Sequence, residues 1–434
     1  MSSDNGNRLN RPIFSDAHRS HVKSRRHEHA LRHWLSIHAV PLLLLSTLLL
    51  LPFNLLYQVP LAILTGMGIY QVIGDPRRLI SNTAVRLFLV VFLLLWIPPL
   101  LALVNAVNFE RAIPSTLRLL GFLFIGIAVI QHLRECDYST LLYASILIIL
   151  SLWIVDALVQ FFLGHNLLGY PLPDQQITGI FHPKYRIGIV LAHLAPLYLE
   201  ALRRFATHRP WLWLLVIPFC LVIFLSGSRS GWFTLLATLL LYGVYLLRCH
   251  KVRLRYVITI SLITLLMGTT MVAHFPGLQQ RVDKTVALSS LDAEADLAVA
   301  ERVRAWQAAV NIIQENHWFG VGVRGFGSTA VERGYLATEF SHPHMFLLDV
   351  TTSAGIIGLM GYMLALSVLA WLFLVRLRGQ RSDLFAPWLA VALALLPLNA
   401  HWGFYATFCS SLVWIIVIVA LGMTARRLEH PNSG

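Results

Sequence analysis

Apolar runs long enough to cross a lipid bilayer recur along this 434-residue chain, with mostly short polar clusters between them. Lipid offers the backbone no hydrogen-bonding partners, so each run must satisfy its own N–H and C=O groups by becoming a helix. Hydropathy gives twelve candidate spans, at about 36–55, 59–74, 83–103, 115–132, 139–163, 187–202, 211–226, 232–247, 256–274, 345–375, 385–400 and 405–424. Hydrophobic residues make up 57% of the chain and charged residues 13%. With a mean hydropathy of +0.67, that balance excludes an ordinary soluble domain. The expected fold is all-α and polytopic, with about twelve transmembrane helices.

The expected organisation is a tail at 1–35, spans one to nine within 36–274, one large outer loop at 275–344, spans ten to twelve within 345–424 and a tail at 425–434. A formal charge of +13 would fit a nucleic-acid partner, but its distribution follows the spans. With the N-terminus inside, 23 Lys and Arg fall on the inner side and 11 on the outer. Six of the outer ones (Arg281, Lys284, Arg302, Arg304, Arg324 and Arg333) sit in the long loop, where the positive-inside rule carries little weight. The basic balance therefore records topology, both termini are expected inside, and no nucleic-acid partner is expected. Cys136 and Cys249 fall in inner loops while Cys220 and Cys409 lie in spans, so no disulfide is expected. The first apolar segment is too long for a signal-peptide core and lacks a small-residue cleavage site, which predicts an uncleaved span.

Two outer segments exceed simple turns. Residues 164–186 are rich in Gly and Pro and read as irregular. In the 275–344 loop, periodicity predicts a helix from about Ala298 to Glu315, with Val299, Val303, Trp306, Val310 and Ile313 on one stripe. At 100° per residue, Arg302 lies about 60° from the centre of that stripe, aimed toward the buried side. An interfacial helix with a snorkelling arginine fits the same pattern. The following run WFGVGVRGFGS lacks the strand before and helix after that a dinucleotide fingerprint requires, so it is not read as a nucleotide site.

Charge at membrane depth is costly, so an outer cluster of ionisable groups points to function. That cluster is Lys184 and Arg186 beside Pro183, Arg229 in LSGSRSGW, Arg302, and the pair His342 and His344. Carboxylates are nearly absent there, and arginine matches phosphate oxygens two at a time, so the expected ligand carries phosphate. Simpler readings stand beside this one. Lys184 and Arg186 also fit interfacial anchors, and the small residues around Arg229 also fit helix packing. Asp156 and Asp349, inside apolar spans, fit either proton-relay acids or hydrogen-bonded structural groups.

Ser341 is a plausible N-cap and Pro343 suits a first turn, which places His344 in the opening turn of the tenth span. The positive end of that helix and the nearby arginines would keep His344 neutral, as a general base must be. The i, i+2 spacing of His342 and His344 does not suit helical metal ligands, so no metal is expected.

His344-Met345, followed after nine residues by Gly355-x-x-Gly358, resembles the motif of bacterial O-antigen ligases, where a histidine precedes a small polar residue and Gly-x-x-Gly follows. Arg302-x-x-x-Trp306, Phe319-Gly320-Val321-Gly322 and LSGSRSG resemble further segments of the ligase and polymerase superfamily, so the likeness runs over roughly 180–360. Met345 stands where the family has Asn, Ser or Gln, and His182-Pro183 where Asn-Pro is common. The resemblance implies a GT-C-like fold with one periplasmic loop between spans nine and ten. It implies a glycosyltransferase of the bacterial inner membrane, working at the periplasmic face in lipopolysaccharide biosynthesis; direct displacement of the donor predicts inversion, and a basic cluster with no DxD-like acidic pair predicts transfer without metal or cofactor. The donor would be O-antigen on undecaprenyl pyrophosphate and the acceptor lipid A–core oligosaccharide, with membrane lipid around both. His344 would be the base, Arg186, Arg229, Arg302 and Lys184 would hold the donor pyrophosphate, and His342 and Tyr185 would support them. An O-antigen polymerase and a protein O-oligosaccharyltransferase share that donor; a chain ending ten residues after its last span favours the ligase. A transporter of lipid-linked glycan is the non-enzymatic alternative, although no half-to-half repeat or pair of broken spans is visible.

Overall fold

A computed structural model of the chain describes residues 38–173, 176–249, 297–377, 381–400 and 402–429, with isolated positions between 258 and 279. Among the described residues no strand forms; His165 and Pro171 make one isolated bridge. The main helices are α1 (His38–Leu50), α2 (Gln58–Gly74), α3 (Thr83–Leu101), α4 (Phe109–Glu135), α5 (Ser139–Leu163), α6 (Ile187–Ala206) and α7 (Val216–Leu225). They are followed by α8 (Arg229–Cys249), α9 (Leu297–Glu315), α10 (Phe326–Glu332), α11 (Phe346–Trp371), α12 (Arg381–Ala394) and α13 (Thr407–Glu429). Among the described residues, six segments are long and apolar enough to cross a membrane: Thr83–Asn105, Phe109–Glu135, Ser139–Leu163, Arg229–Cys249, Phe346–Arg376 and Thr407–Leu428. The apolar helices α1, α2, Pro210–Leu225 and Leu384–Ala394 are shorter. The expected ninth span, 256–274, and the first part of the expected outer loop, with Arg281 and Lys284, lie outside the described residues.

Lipid contributes little drive for helices to associate, so packing and internal hydrogen bonds must hold the bundle. Trp414 of α13 packs against Phe88 and Phe92 of α3 and Phe122 of α4, with ring centroids 5.4 to 6.2 Å apart. Such ring pairs are each worth roughly 0.5–1.5 kcal/mol beyond area burial. Asn82 caps α3 by accepting from the Ala84 and Val85 amides at 2.9 and 3.4 Å, and its own amide donates to Gln131 of α4 at 3.1 Å. Among the described helices α6 is strongly enclosed, with its residues from Ile187 to Leu202 all buried.

The helix α11 is not continuous. Gly355 has φ 65° and ψ −162°, a conformation reached essentially by glycine alone, and the helical hydrogen bonding is interrupted there. A break of this kind strands carbonyls before it and amides after it, which cannot stay unpaired in an apolar interior. The glycine-rich segment 317–322 fills the gap. The Val321 and Gly322 amides donate to the Thr352 and Ser353 carbonyls at 2.9 and 3.1 Å, while the Ile356 amide donates to the His317 carbonyl at 2.7 Å. A Cβ on Gly355 would collide with the Trp318 carbonyl, and one on Gly320 with the Thr352 carbonyl. The run that lacks a nucleotide fingerprint is therefore a docking strap.

The strap leads back to α9, whose buried face differs from the one expected. Ala305, Ala308, Ala309 and Ile312 face inward with Val321, Phe326, Ala330 and Leu336, whereas Val310 is 44% exposed and Trp306 and Ile313 are only half-buried. Periodicity finds the large residues, but the alanines allow α9 the closer approach. Arg302 consequently lies about 70° from the true buried face and is half-buried.

Another clamp orders the irregular 164–186 loop. Gln160 of α5, fully buried, donates to the Pro171 carbonyl at 2.9 Å and to Thr178 Oγ1 at 3.1 Å, and accepts from the Thr178 and Gly179 amides at 2.8 and 2.7 Å. Asp156 accepts from the Leu167 amide at 3.0 Å and the Asn166 side chain at 3.3 Å, so it acts as a hydrogen-bonding anchor for the loop.

Gly355→Ala is expected to cost about 1–3 kcal/mol from backbone strain alone, and more from the collision with the strap. Gly66→Ala in α2, where a Cβ meets nothing within 4 Å, should be neutral or mildly stabilising. Equal melting temperatures for the two variants in detergent would contradict the docked break. Gln160→Leu deprives two buried amides of their acceptor, at about 1–3 kcal/mol each. Limited proteolysis should then open the 164–186 loop before the rest of the chain.

Candidate functional site

At the end of the bundle where α6, α11 and α13 begin, a cavity of about 210 Å³ is lined by Arg186, Arg324, Ser341, His342, Asp349, Trp402, Gly403, Tyr405, Ala406, Phe408 and Cys409. Arg186 immediately precedes α6, and its guanidinium sits 4.2 Å over the Phe408 ring, which fixes the charge without neutralising it. Arg324 joins the strap to α10 and has φ 63°, in the left-handed region that non-glycine residues seldom occupy. A third guanidinium approaches from α4, where Arg118 donates to the Tyr405 carbonyl at 3.4 Å.

His342 faces this cavity, with Ser341 Oγ 2.6 Å from its Nδ1. The His344 ring centroid lies 4.3 Å from that of His342 and meets Phe340 edge-on at 6.1 Å. His344 also has a positive φ, 53°. Left-handed backbone at two site residues, Arg324 and His344, is the kind of local strain that surrounding structure must hold in place.

The start of α11 corrects one expectation. Phe346 is its first helical residue and Met345 its N-cap position, so Ser341 is not the cap and His344 lies two residues before the helix. The leading amides are not free for a ligand, because Phe346 donates to the Asn399 carbonyl at 3.2 Å and Leu347 to the Pro397 carbonyl at 3.1 Å. Cross-chain carbonyls replace the expected side-chain cap.

Buried polar groups tie the cavity walls together. Asp349 Oδ2 accepts the Phe404 amide at 2.7 Å, holding the turn that contains Trp402, Gly403 and Tyr405. A Cβ on Gly403 would come 2.9 Å from His342 Cβ and Cγ, so glycine there lets the histidine seat. His193 of α6 lies 2.8 Å from the Ile189 carbonyl through Nδ1 and 2.9 Å from the Asn399 side-chain nitrogen through Nε2. A carbonyl only accepts and an amide nitrogen only donates, which assigns His193 as the neutral Nδ1–H tautomer. Its ring stacks on Trp402 at 5.9 Å. One chain of contacts thus runs from α6 through Asn399 to the first turn of α11.

The sequence-derived candidates divide accordingly. Arg186 and His342 meet in the cavity, with His344 against His342. Lys184 and Tyr185 are exposed on the turn before Arg186. Arg229 opens α8 and is half-buried outside the cavity wall; its small neighbours pack on α6, since a Cβ on Gly188 would collide with Ser226 Oγ. Arg302 on α9 is likewise outside that wall. Sequence reading missed Arg324, Arg118, Asn399, Trp402 and His193. A histidine inside an apolar span was a usable signal for the last of these; Arg324 gave none beyond its place in a glycine-rich run.

Residues 213–363 match the model of the O-antigen ligase family. The matched segment runs from just before α7 into α11 and includes Arg229, Arg302, the strap, Arg324, both site histidines and Gly355. No curated protein matches the chain. The segment 213–363 is therefore similar to the O-antigen ligase family.

Proposed function

We propose that the chain is an O-antigen ligase which transfers a glycan from undecaprenyl pyrophosphate to lipid A–core oligosaccharide at the periplasmic face of the bacterial inner membrane. The observation that carries this reading is the convergence of Arg186, Arg324 and His342 on one cavity, with His344 beside His342, in a chain whose matched family is the O-antigen ligases. Two guanidiniums against one carboxylate leave the cavity lining net positive, which suits a pyrophosphate.

In the proposed reaction an acceptor hydroxyl oxygen attacks the anomeric carbon as the bond from that carbon to the pyrophosphate oxygen breaks. His344 takes the hydroxyl proton and undecaprenyl pyrophosphate leaves with the bonding pair, so a single displacement inverts the anomeric centre. Pyrophosphate is already a competent leaving group. The protein's contribution is alignment and stabilisation of developing negative charge, supplied by Arg186 and Arg324 at the cavity and by Arg229, Arg302 and Lys184 along the donor's approach. His342 and Tyr185 support that arrangement, and no metal or cofactor takes part.

The transporter alternative would have the broken helix line a substrate path. The break in α11 is instead filled by the strap, which favours an enzyme.

His344→Ala should abolish transfer between purified lipid-linked glycan and lipid A–core, whereas flipping of the lipid-linked glycan would survive it. Arg186→Ala and Arg324→Ala should each lower the rate by roughly 10²–10³. Arg304→Ala, exposed on α9, should stay near wild type. Full activity in the His344 variant would sink the assignment of the base, and dependence on a divalent ion after chelation would overturn the metal-free scheme.

A further inference from the structure

A second cavity, of about 340 Å³, lies at the opposite end of the bundle, where α4, α6 and α13 finish and α5 begins. Seventeen residues of α6 separate Arg203 in its wall from Arg186, about 26 Å along the helix axis. Four arginines line it in two adjacent pairs, Arg203 and Arg204 from α6 and Arg426 and Arg427 from α13.

Two carboxylates, Glu200 and Asp137, contact three of them. Glu200, buried, accepts from Arg203 Nε and Nη2 at 2.9 and 2.6 Å, from Arg204 Nε at 2.8 Å and from the Tyr242 hydroxyl at 2.8 Å. That carboxylate is saturated, while Arg204, braced at 4.3 Å over the Tyr143 ring, engages it through Nε alone. Asp137 lies 3.8 Å from Arg426 with both side chains more than half exposed, a pairing of little strength. The lining itself carries four guanidiniums and one carboxylate, Asp137, so the concave wall is basic.

We propose that this cavity binds the phosphodiester head group of an anionic membrane lipid. Arginine forks fit phosphate oxygens in pairs, and basic pockets between transmembrane helices are suited to anionic head groups. The apolar wall residues Leu142, Leu384 and Met423 favour a lipid over a soluble phosphate, because they offer the first carbons of a glycerol and acyl chain a dry surface. The bound head group would bridge the ends of α6 and α13 and offset the repulsion between the two arginine pairs.

The full-length protein in detergent can be titrated by native mass spectrometry, separately with phosphatidylglycerol, phosphatidylcholine and inorganic phosphate. One tight phosphatidylglycerol site is expected, with phosphatidylcholine and phosphate far weaker. The double variant R426Q/R427Q should bind phosphatidylglycerol about thirty-fold more weakly, roughly fivefold per arginine. R426K/R427K should recover most of that loss, and Arg86→Gln, exposed on α3 away from the cavity, should change nothing. If the double glutamine variant fails to fold, R427Q alone, with its fivefold share, carries the test. Equal binding of phosphatidylcholine, or undiminished binding in the glutamine variants, would overturn the site. Phosphate binding as tight as phosphatidylglycerol would overturn the lipid as its occupant.

Discussion

Exchange of backbone hydrogen bonds between the break in α11 and the strap 317–322 is the interaction on which the rest depends. Without it, the Thr352 and Ser353 carbonyls and the Ile356 amide would be stranded in an apolar interior, each at a cost of several kcal/mol. The strap in turn carries Arg324 to the cavity and fixes α9 and α10 on the bundle. The spacing of the two glycine motifs has a plain physical reading: Gly355 makes room for the strap, and Gly320 makes room for α11.

The cavity itself is built largely from irregular segments, and buried polar side chains rather than regular elements give it rigidity. Asp349 holds the 402–405 turn, Asn399 joins His193 to the first amide of α11, and Gln160 holds the loop that ends at Arg186. Because these groups are enclosed and mutually satisfied, displacing one leaves another unpaired, and the cost of that loss keeps the strained backbone of His344 and Arg324 in place. Asp156 and Asp349, both open to a proton-relay reading in sequence, are satisfied by backbone amides.

Positive charge is concentrated at both ends of the same bundle but is arranged differently. At both ends an arginine rests on an aromatic ring, Arg186 on Phe408 and Arg204 on Tyr143, but at the other end Arg203 and Arg204 also share one saturated carboxylate. The central α6 links the two, since it begins beside Arg186 and ends beside Arg203 and Arg204. Arginines that sequence analysis expects on the inner side and treats only as topology markers thus acquire a second physical role, as the walls of a cavity.

The sequence by itself determined the helical class and most of the helix positions and singled out Arg186, His342 and His344, which the structure places close together, because hydropathy and charge act over windows of adjacent residues. Only the tertiary structure decided that α11 is broken at Gly355, that α9 buries its alanines and that Arg324 joins Arg186, while Arg229 and Arg302 stand outside the cavity wall. The start of α11 was misread for the same reason. Its amides are capped by the Asn399 and Pro397 carbonyls, fifty or more residues away in the chain, and local propensity cannot register a partner that distant.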